Sequence, residues 1–306
     1  MRESIIINDT SFPDVIEDDI RTQMPHILEI LLLDRTTSSS KRMQNIIWAN
    51  DNYKEYGAES YASKAQIRPE LITGKCGKLI MPRALKALAL QKKRTKTKAE
   101  VFTPTFIVKK QNDAVDVNYK ADDLEVYTRR RWLEIACGEA PYMATRYDMG
   151  TGEIIPLAER VGFIDRKLSR INAEVVDKAE WQRLVELAYK SSYGFEWNGD
   201  SILLARENLL YTYKDYYMDK WGEPPIYGLF EDVATIISYN VFQMDGLTYT
   251  IPLSGTKEHI EQYQLSLFDR DGPEKEKYLI IPGKRVRVMN WNTNKMEFFN
   301  KGIKRQ

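Results

Sequence analysis

The alternation of apolar and polar positions indicates an α/β arrangement in the middle of the chain. Residues 132–136, 192–196 and 234–239 are short strand-like segments, and residues 202–210 place apolar side chains close to helical spacing. The pair at 200–201, Asp followed by Ser, is expected to cap the start of that helix. Strands that alternate with helices favour a mainly parallel sheet, so we predict a parallel α/β core here.

The regions on either side of this core have different patterns. Near the N-terminus, residues 27–33 form an apolar run that predicts a helix. In the tail, three short segments predict antiparallel strands, with a turn between the last two: residues 278–281, 285–289 and 296–299. The predicted organisation is a mainly helical N-terminal region, an α/β core and a small β-rich tail, at residues 1–95, 96–253 and 254–306.

The composition narrows the class of protein. The chain has 306 residues, of which 43% are hydrophobic and 29% are charged, a balance typical of globular proteins rather than disordered ones. The two cysteines and two histidines exclude a disulfide framework, predict no zinc site, and favour a reducing, cytoplasmic compartment. No apolar run approaches the roughly 20 residues that a helix needs to cross a bilayer, so no membrane contact is predicted.

Charge is balanced over the whole chain but clustered locally. There are 45 Lys and Arg residues against 44 Asp and Glu, a net charge of +1, so any surface that binds nucleic acid must come from local clusters. Residues 83–98 contain seven Lys and Arg residues and no acid, and residues 284–305 are also rich in Lys and Arg. Such a cluster is either a solvated helix face or a surface that contacts phosphates.

Candidate ligand-binding residues follow two of the predicted strands. Gly138 comes just after the first strand, where a residue without a side chain lets the backbone approach a ligand closely. Glu196 ends the next strand, and a carboxylate there can accept hydrogen bonds from ribose hydroxyls. Open α/β sheets bind ligands at the carboxyl ends of their strands. These two positions therefore predict a site for a nucleoside cofactor.

Together with an earlier segment, these residues resemble the N6-adenine DNA methyltransferases of restriction–modification systems. In that family a Phe-Thr-Pro segment touches the amino-acid end of S-adenosylmethionine, and Phe102, Thr103 and Pro104 match it. The family's Asp-Pro-Ala-Cys-Gly-Ser-Gly segment is matched in part by residues 134–140. In that segment Ala140 stands where the family has its second glycine.

The resemblance implies a Rossmann-like, class I methyltransferase sheet and S-adenosylmethionine as cofactor. Within the partly matched segment, the implied cofactor contacts are Glu134 as the leading acid, Ala136 and Gly138.

Two acidic residues compete for the ribose role, and a third is assigned to the cofactor's adenine. Glu196 is preferred, because the helix after it, at 204–209, matches the family pattern. Asp165 is the rival, since it lies in a strand-like segment at a more usual distance from the first acid. Asp245 follows the next segment and would meet the adenine amino group of the cofactor.

The catalytic segment of that family, Asn-Pro-Pro followed by Tyr or Phe, is not found in this chain. The nearest string, at 223–227, predicts a turn between helices, and Asn240 lacks the two prolines. In the family this segment follows the Asp245 region after inserted strands, and the chain ends in strands of that kind. The resemblance therefore implies the cofactor-binding part of an adenine-specific DNA methyltransferase, split or truncated, with its catalytic residues unknown.

The expected partners are double-stranded DNA and a second methyltransferase half that carries the catalytic segment. DNA contacts are assigned to the two basic clusters, at Lys92, Lys93, Arg94, Arg285 and Arg287. The alternative is a non-catalytic protein that keeps the fold and binds DNA or a partner. An adjacent reading frame that begins with a strand and Asn-Pro-Pro-Tyr or Asn-Pro-Pro-Phe would favour the split enzyme.

A further short motif lies in the polar part of the tail. Gln264, Leu265, Leu267 and Phe268 resemble the peptide that binds the bacterial sliding clamp. In that interpretation an extended peptide anchors its Leu and Phe side chains in an apolar pocket. The alternative is a surface strand that packs the same side chains inward.

The clamp interpretation predicts loss of binding when the anchors are removed. The double substitution Leu267→Ala and Phe268→Ala is expected to abolish retention of the full chain on immobilised sliding clamp, because both apolar anchors are lost. Ser266→Ala is the matched control and should leave retention unchanged. Equal retention of the double variant and the unsubstituted chain would contradict the motif.

Overall fold

The structure is a computed structural model that describes residues 13–86, 103–259 and 278–300. Its α-helices are α1 (Glu17–Gln23), α2 (Pro25–Leu32), α3 (Pro69–Ile72), α4 (Thr105–Asp116), α5 (Leu124–Arg129), α6 (Phe163–Glu174), α7 (Lys178–Lys190), α8 (Gly199–Trp221) and α9 (Tyr227–Asn240). Its strands are β1 (Trp132–Ile135), β2 (Ser192–Glu196), β3 (Val241–Gln243), β4 (Thr256–His259), β5 (Tyr278–Ile281), β6 (Arg287–Asn290) and β7 (Lys295–Phe298).

A parallel sheet of three strands forms the centre, in the order β1, β2, β3. Helices α6 and α7 connect β1 to β2, and α8 and α9 connect β2 to β3. Glu134 lies opposite Gly194 in the register, and Gly194 lies opposite Val241. The predicted α/β class and the parallel sheet are confirmed.

The two faces of this sheet pack against different parts of the chain. A large apolar core fills the helical side, with residues such as Leu184, Leu203 and Phe230 fully buried. On the opposite side a smaller cluster joins the sheet to the tail: Phe195, Phe242, Met244, Ile251 and Val286. Parallel sheets are normally covered on both faces, and the tail provides this cover over β2 and β3.

The prediction of a third strand at residues 234–239 is wrong. Residues 234–239 belong to α9, and the strand follows directly as β3. Helix α9 buries Phe230, Ala234 and Ile237, and it carries further apolar side chains between them. Short apolar runs of this kind fit a buried strand and a buried helix equally well, so periodicity did not distinguish them.

The other predicted elements are largely confirmed. Helix α2 covers residues 25–32, α8 contains the predicted 202–210, and β1 and β2 lie where expected. The predicted cap of α8 is wrong, because Asn198 is the N-cap residue and Asp200 accepts hydrogen bonds from Asn50 and Tyr53.

The three strands predicted in the tail are confirmed as β5, β6 and β7, and the structure adds β4, which was not predicted. Strand β4 pairs with β5, and β6 pairs with β7 across a turn at residues 291–294. The described helices include none that is both long and apolar enough to cross a membrane.

The buried guanidinium of Arg206 holds several of these elements together. Arg206 lies on α8 and is 1% exposed. It forms five hydrogen bonds with the carbonyl oxygens of Leu31, Leu33, Ser238 and Val241, at 2.5–3.2 Å. The last carbonyl groups of a helix have no partner within it, so Arg206 satisfies the ends of α2 and α9 together. Burial lowers the pKa of Arg206 to about 9.

Replacement of this arginine should destabilise the whole chain. Arg206→Met keeps much of the side-chain volume but leaves buried carbonyl groups unpaired, at a cost of about 3 kcal/mol or more. We expect calorimetry to show a lower Tm by several degrees. Arg68→Met, at a surface arginine that is half exposed, is the control and should change Tm little. Similar melting of both variants would contradict this role of Arg206.

Candidate cofactor-binding site

The loop after β1 winds tightly at the carboxyl end of the strand. Ala136, Gly138 and Ala140 have φ angles of 49°, 54° and 62°, all in the left-handed region. A residue with a Cβ pays about 1–2 kcal/mol for this conformation. The backbone at Ala140 thus has the conformation that favours glycine, which is the residue found there in the family that the segment resembles. Strained backbone of this kind often occurs at functional sites.

Glu196 ties this loop to the end of β2. One carboxylate oxygen accepts a hydrogen bond from the Gly138 N–H at 3.1 Å, and the other accepts from the backbone and side chain of Asn198 at 3.1 and 3.2 Å. An ionised carboxylate offers about four acceptor positions. Three of them are used, so Glu196 retains capacity for a ligand hydroxyl without releasing the loop.

Glu134 lies beneath the loop rather than on its outer surface. It is 6% exposed, and its two oxygens accept hydrogen bonds from the backbone N–H groups of Tyr142 and Met143 at 3.2 and 2.9 Å. Burial raises the pKa of Glu134 to about 8, and the nearby Glu196 adds to the increase. The predicted leading acid therefore supports the backbone of the loop.

A third carboxylate, Glu139, also supports the loop and was not selected from the sequence. Glu139 is buried and accepts hydrogen bonds from the Arg83 backbone N–H at 2.8 Å and from the Tyr147 hydroxyl at 2.7 Å. The Asn208 amide of α8 donates to the Glu139 carbonyl oxygen at 3.0 Å. Asn208 belongs to the helix segment that matched the family pattern, and this match was the sequence signal that could have pointed to its contact with Glu139.

Asp245 lies at the same edge of the sheet, just beyond β3. The Met244 N–H donates to the Glu196 carbonyl oxygen at 3.0 Å, which places Asp245 beside the end of β2. Its carboxylate accepts from the Leu247 N–H and the Thr248 hydroxyl, both at 2.8 Å. In this arrangement Asp245 stabilises its own turn next to the predicted site.

The first predicted segment approaches the loop through α4. Thr103 and Pro104 directly precede this helix. The Asn112 amide of α4 donates to the carbonyl oxygens of Tyr142 and Val161 at 3.1 and 3.0 Å. Within the described residues no hydrogen bond joins Thr103 or Pro104 to Gly138.

Several predicted site residues lie outside the residues that the structure describes. One is Phe102, the first residue of the cofactor segment. The others are the basic residues Lys92, Lys93 and Arg94 and the clamp-like motif Gln264, Leu265, Leu267 and Phe268.

The rival ribose residue, Asp165, is not at the end of a strand. It lies in the first turn of α6, so the strand-like interpretation of its segment is wrong. Its carboxylate accepts hydrogen bonds from the backbone N–H groups of Thr145 and Gly162 at 2.7 and 3.1 Å, and it caps the helix. One carboxylate oxygen of Asp165 therefore caps α6 and holds Thr145, and the residue lies at a helix start rather than at the end of a strand.

A segment of the N-terminal region, residues 47–50, crosses the carboxyl ends of β2 and β3. The Gln243 side chain exchanges hydrogen bonds with both backbone groups of Ile47, at 2.8 and 2.9 Å. A Cβ atom at Gly199 would lie 2.0 Å from the Ile47 carbonyl oxygen, so only glycine fits there. The Trp197 indole donates to the Ala49 carbonyl oxygen at 2.9 Å. This crossing segment therefore packs against the residues that follow β2 and the end of β3, next to the predicted site.

The two described basic residues of the tail have structural contacts. Arg287 donates to the Thr36 carbonyl oxygen at 3.1 Å and links β6 to the N-terminal region. The Arg285 guanidinium lies 4.1 Å from the centre of the Phe298 ring. Arg287 is thus partly committed to packing, and Arg285 is the more exposed of the two.

No family model, curated protein or solved structure matches this chain. Among the described residues, no group of three His, Cys, Asp or Glu side chains is arranged to hold a metal ion. Functional assignment therefore depends on the geometry of the loop and of Glu196.

The buried Glu134 predicts that stability falls as pH rises. In the folded chain this carboxyl keeps its proton up to about pH 8, whereas in the unfolded chain it loses the proton near its ordinary pKa of 4.5. The free energy of unfolding therefore falls as pH rises between these two values. Glu134→Gln cannot ionise, so its Tm should decrease less than that of the unsubstituted chain between pH 5 and 8. The exposed Glu153→Gln is the control and should follow the unsubstituted chain. Parallel Tm profiles for Glu134→Gln and the unsubstituted chain would contradict the prediction.

Proposed function

We propose that this chain is the S-adenosylmethionine-binding part of an adenine-specific DNA methyltransferase, and that a second polypeptide supplies the catalytic segment. The observation that carries the proposal is the hydrogen bond between Gly138 and Glu196. It joins the tight loop after β1 to the acidic end of β2, at the edge where open α/β sheets bind ligands. The Rossmann-like methyltransferase sheet is part of the same proposal.

The residues at this edge suit the parts of the cofactor. S-adenosylmethionine, when bound, supplies a methyl group activated by its sulfonium charge. The Gly138 loop would lie against the amino-acid end, and Glu196 would accept a ribose hydroxyl with its remaining acceptor position. Asp245 would accept a hydrogen bond from the adenine amino group, in exchange for a contact within its turn.

The described residues offer no replacement for the catalytic segment. Asn240 is buried, and its amide donates to the carbonyl oxygens of Tyr189 and Ser192 at 2.8 and 3.1 Å. Residues 223–226 form the connection between α8 and α9, as predicted. Neither place can accept hydrogen bonds from a flipped adenine, which is the task of the missing segment.

One observation favours a second candidate, a non-catalytic protein that keeps the fold and binds DNA or a partner. Glu134 and Asp245 both use their carboxylates on the backbone of this chain, as residues of a structural support would. The two candidates differ in cofactor binding, because only the first requires it.

Isothermal titration calorimetry with S-adenosylmethionine separates these candidates. The full chain is expected to bind the cofactor, and Glu196→Gln is expected to bind it at least tenfold more weakly, a loss of about 1.4 kcal/mol. Gly138→Trp should abolish binding, because an indole side chain would fill the space beside the loop. Glu153→Gln is the matched control, with thermal melting to verify folding of each variant.

The same preparation also tests the need for a second half. Incubated with duplex DNA and a cofactor with a labelled methyl group, the chain alone should transfer little or no label. Absence of cofactor binding would reject the proposal in favour of the non-catalytic candidate. Efficient methylation by the chain alone would reject the requirement for a partner.

A further inference from the structure

Strand β1 lies at the outer edge of the parallel sheet in the part of the chain that is described. The Trp132 N–H donates to the Ser191 carbonyl oxygen at 3.0 Å, on the side of β2. Successive residues of a strand direct their backbone groups to opposite sides, so the N–H groups of Leu133 and Ile135 point away from β2. The described residues provide no hydrogen bond to either group. Among the residues that the structure describes, the outer edge of β1 therefore has no strand partner.

Two apolar side chains of β1 are also exposed to solvent. Leu133 and Ile135 are 43% and 71% exposed, although they belong to a strand of a parallel sheet. They lie in register with Tyr193 and Phe195, so all four face the side of the sheet that the tail covers. The described part of the tail covers β2 and β3 but not these two side chains of β1. An exposed apolar patch beside an open edge is typical of a surface for a partner.

A groove of about 500 Å³ continues this surface between β1 and the β6–β7 hairpin. Its apolar lining includes Leu133, Tyr193 and Phe298. It is large enough for several side chains of an incoming segment.

The charge beside this groove defines the chemistry of the occupant. Its charged lining consists of three basic residues and one acidic residue: Arg129, Arg131, Lys190 and Glu297. Glu297 accepts a hydrogen bond from the Asn290 amide at 3.1 Å. Arg129 pairs with Glu125 at 2.7 Å, and Lys190 pairs with Glu186 at 3.0 Å. Arg131 is exposed and forms neither an ion pair nor a hydrogen bond with any described residue. The occupant should therefore carry a carboxylate at the end of its strand that lies near Arg131.

We propose that the open edge of β1 receives an apolar, parallel β-strand from a second polypeptide, with an acidic residue beside Arg131. Parallel pairing is inferred because both existing pairs of this sheet are parallel. A parallel strand would end next to the Gly138 loop, where a catalytic segment is required. The inference rests on the proposed function for the identity of the partner, but the docking itself is separately measurable.

The substitution Ile135→Pro tests this edge selectively. Proline removes the N–H that points outward and keeps the groups that face β2, so the sheet should be retained. The probe is a synthetic peptide with Asp at its N-terminus, six alternating Val and Ile residues, and two Lys residues at its C-terminus for solubility. Fluorescence anisotropy should show saturable binding of this peptide to the full chain.

The variants should weaken this binding in a defined way. Ile135→Pro and Arg131→Glu should each reduce affinity at least tenfold, with their melting temperatures verified. The matched control is Val176→Thr, at an apolar residue that is 87% exposed between α6 and α7. It should bind the peptide like the unsubstituted chain.

Three results would overturn the proposal. Protection of the Leu133 and Ile135 amides against hydrogen exchange in the isolated chain would assign the edge to a segment of this chain. Dimerisation of the chain that Ile135→Pro abolishes would assign it to a second copy. Absent peptide binding, or binding of equal strength to all variants, would exclude strand addition at β1.

Cofactor titration of the same proteins separates this proposal from the proposed function. Peptide binding without S-adenosylmethionine binding would retain the docking edge and reject the cofactor role. Cofactor binding without peptide binding would reject the docking edge and retain the cofactor role.

Discussion

The buried guanidinium of Arg206 is the interaction on which the arrangement of this chain depends. A helix end leaves carbonyl groups without partners, and burying them is costly unless a donor is supplied. Arg206 supplies donors to the end of α2, to the end of α9 and to the first residue of β3. It thereby connects the N-terminal region to the sheet through a planar group whose geometry allows several bonds at once.

The helix that carries Arg206 also supports the candidate site. Helix α8 begins at Gly199, against the crossing segment of residues 47–50, and Asn208 holds the carbonyl oxygen of Glu139 within the loop. One helix therefore positions both the ends of β2 and β3 and the loop after β1. The fold and the site are linked by residues only two positions apart, Arg206 and Asn208.

Carboxylates explain how the loop keeps its left-handed backbone without a glycine at every such position. Glu134, Glu139 and Glu196 each accept hydrogen bonds from backbone N–H groups in or beside the loop. These hydrogen bonds satisfy the backbone N–H groups that the tight turn leaves without partners, and they offset the strain at Ala136 and Ala140. Of these acids, Glu196 is the partly exposed one, at the carboxyl end of its strand, whereas Glu134 and Glu139 are buried.

The sequence by itself determined the α/β class, the positions of β1, β2 and α8, and the approach of Gly138 to Glu196, because these follow from local periodicity and from the shared edge of parallel strands. Only the tertiary structure decided that residues 234–239 are helical and that Asp165 is a helix cap. The use of Glu134 by the backbone of its own loop and the edge position of β1 in the described sheet were also visible only there. Burial and hydrogen-bond partners come from residues distant in the chain, and a local pattern of apolar and polar positions does not specify them.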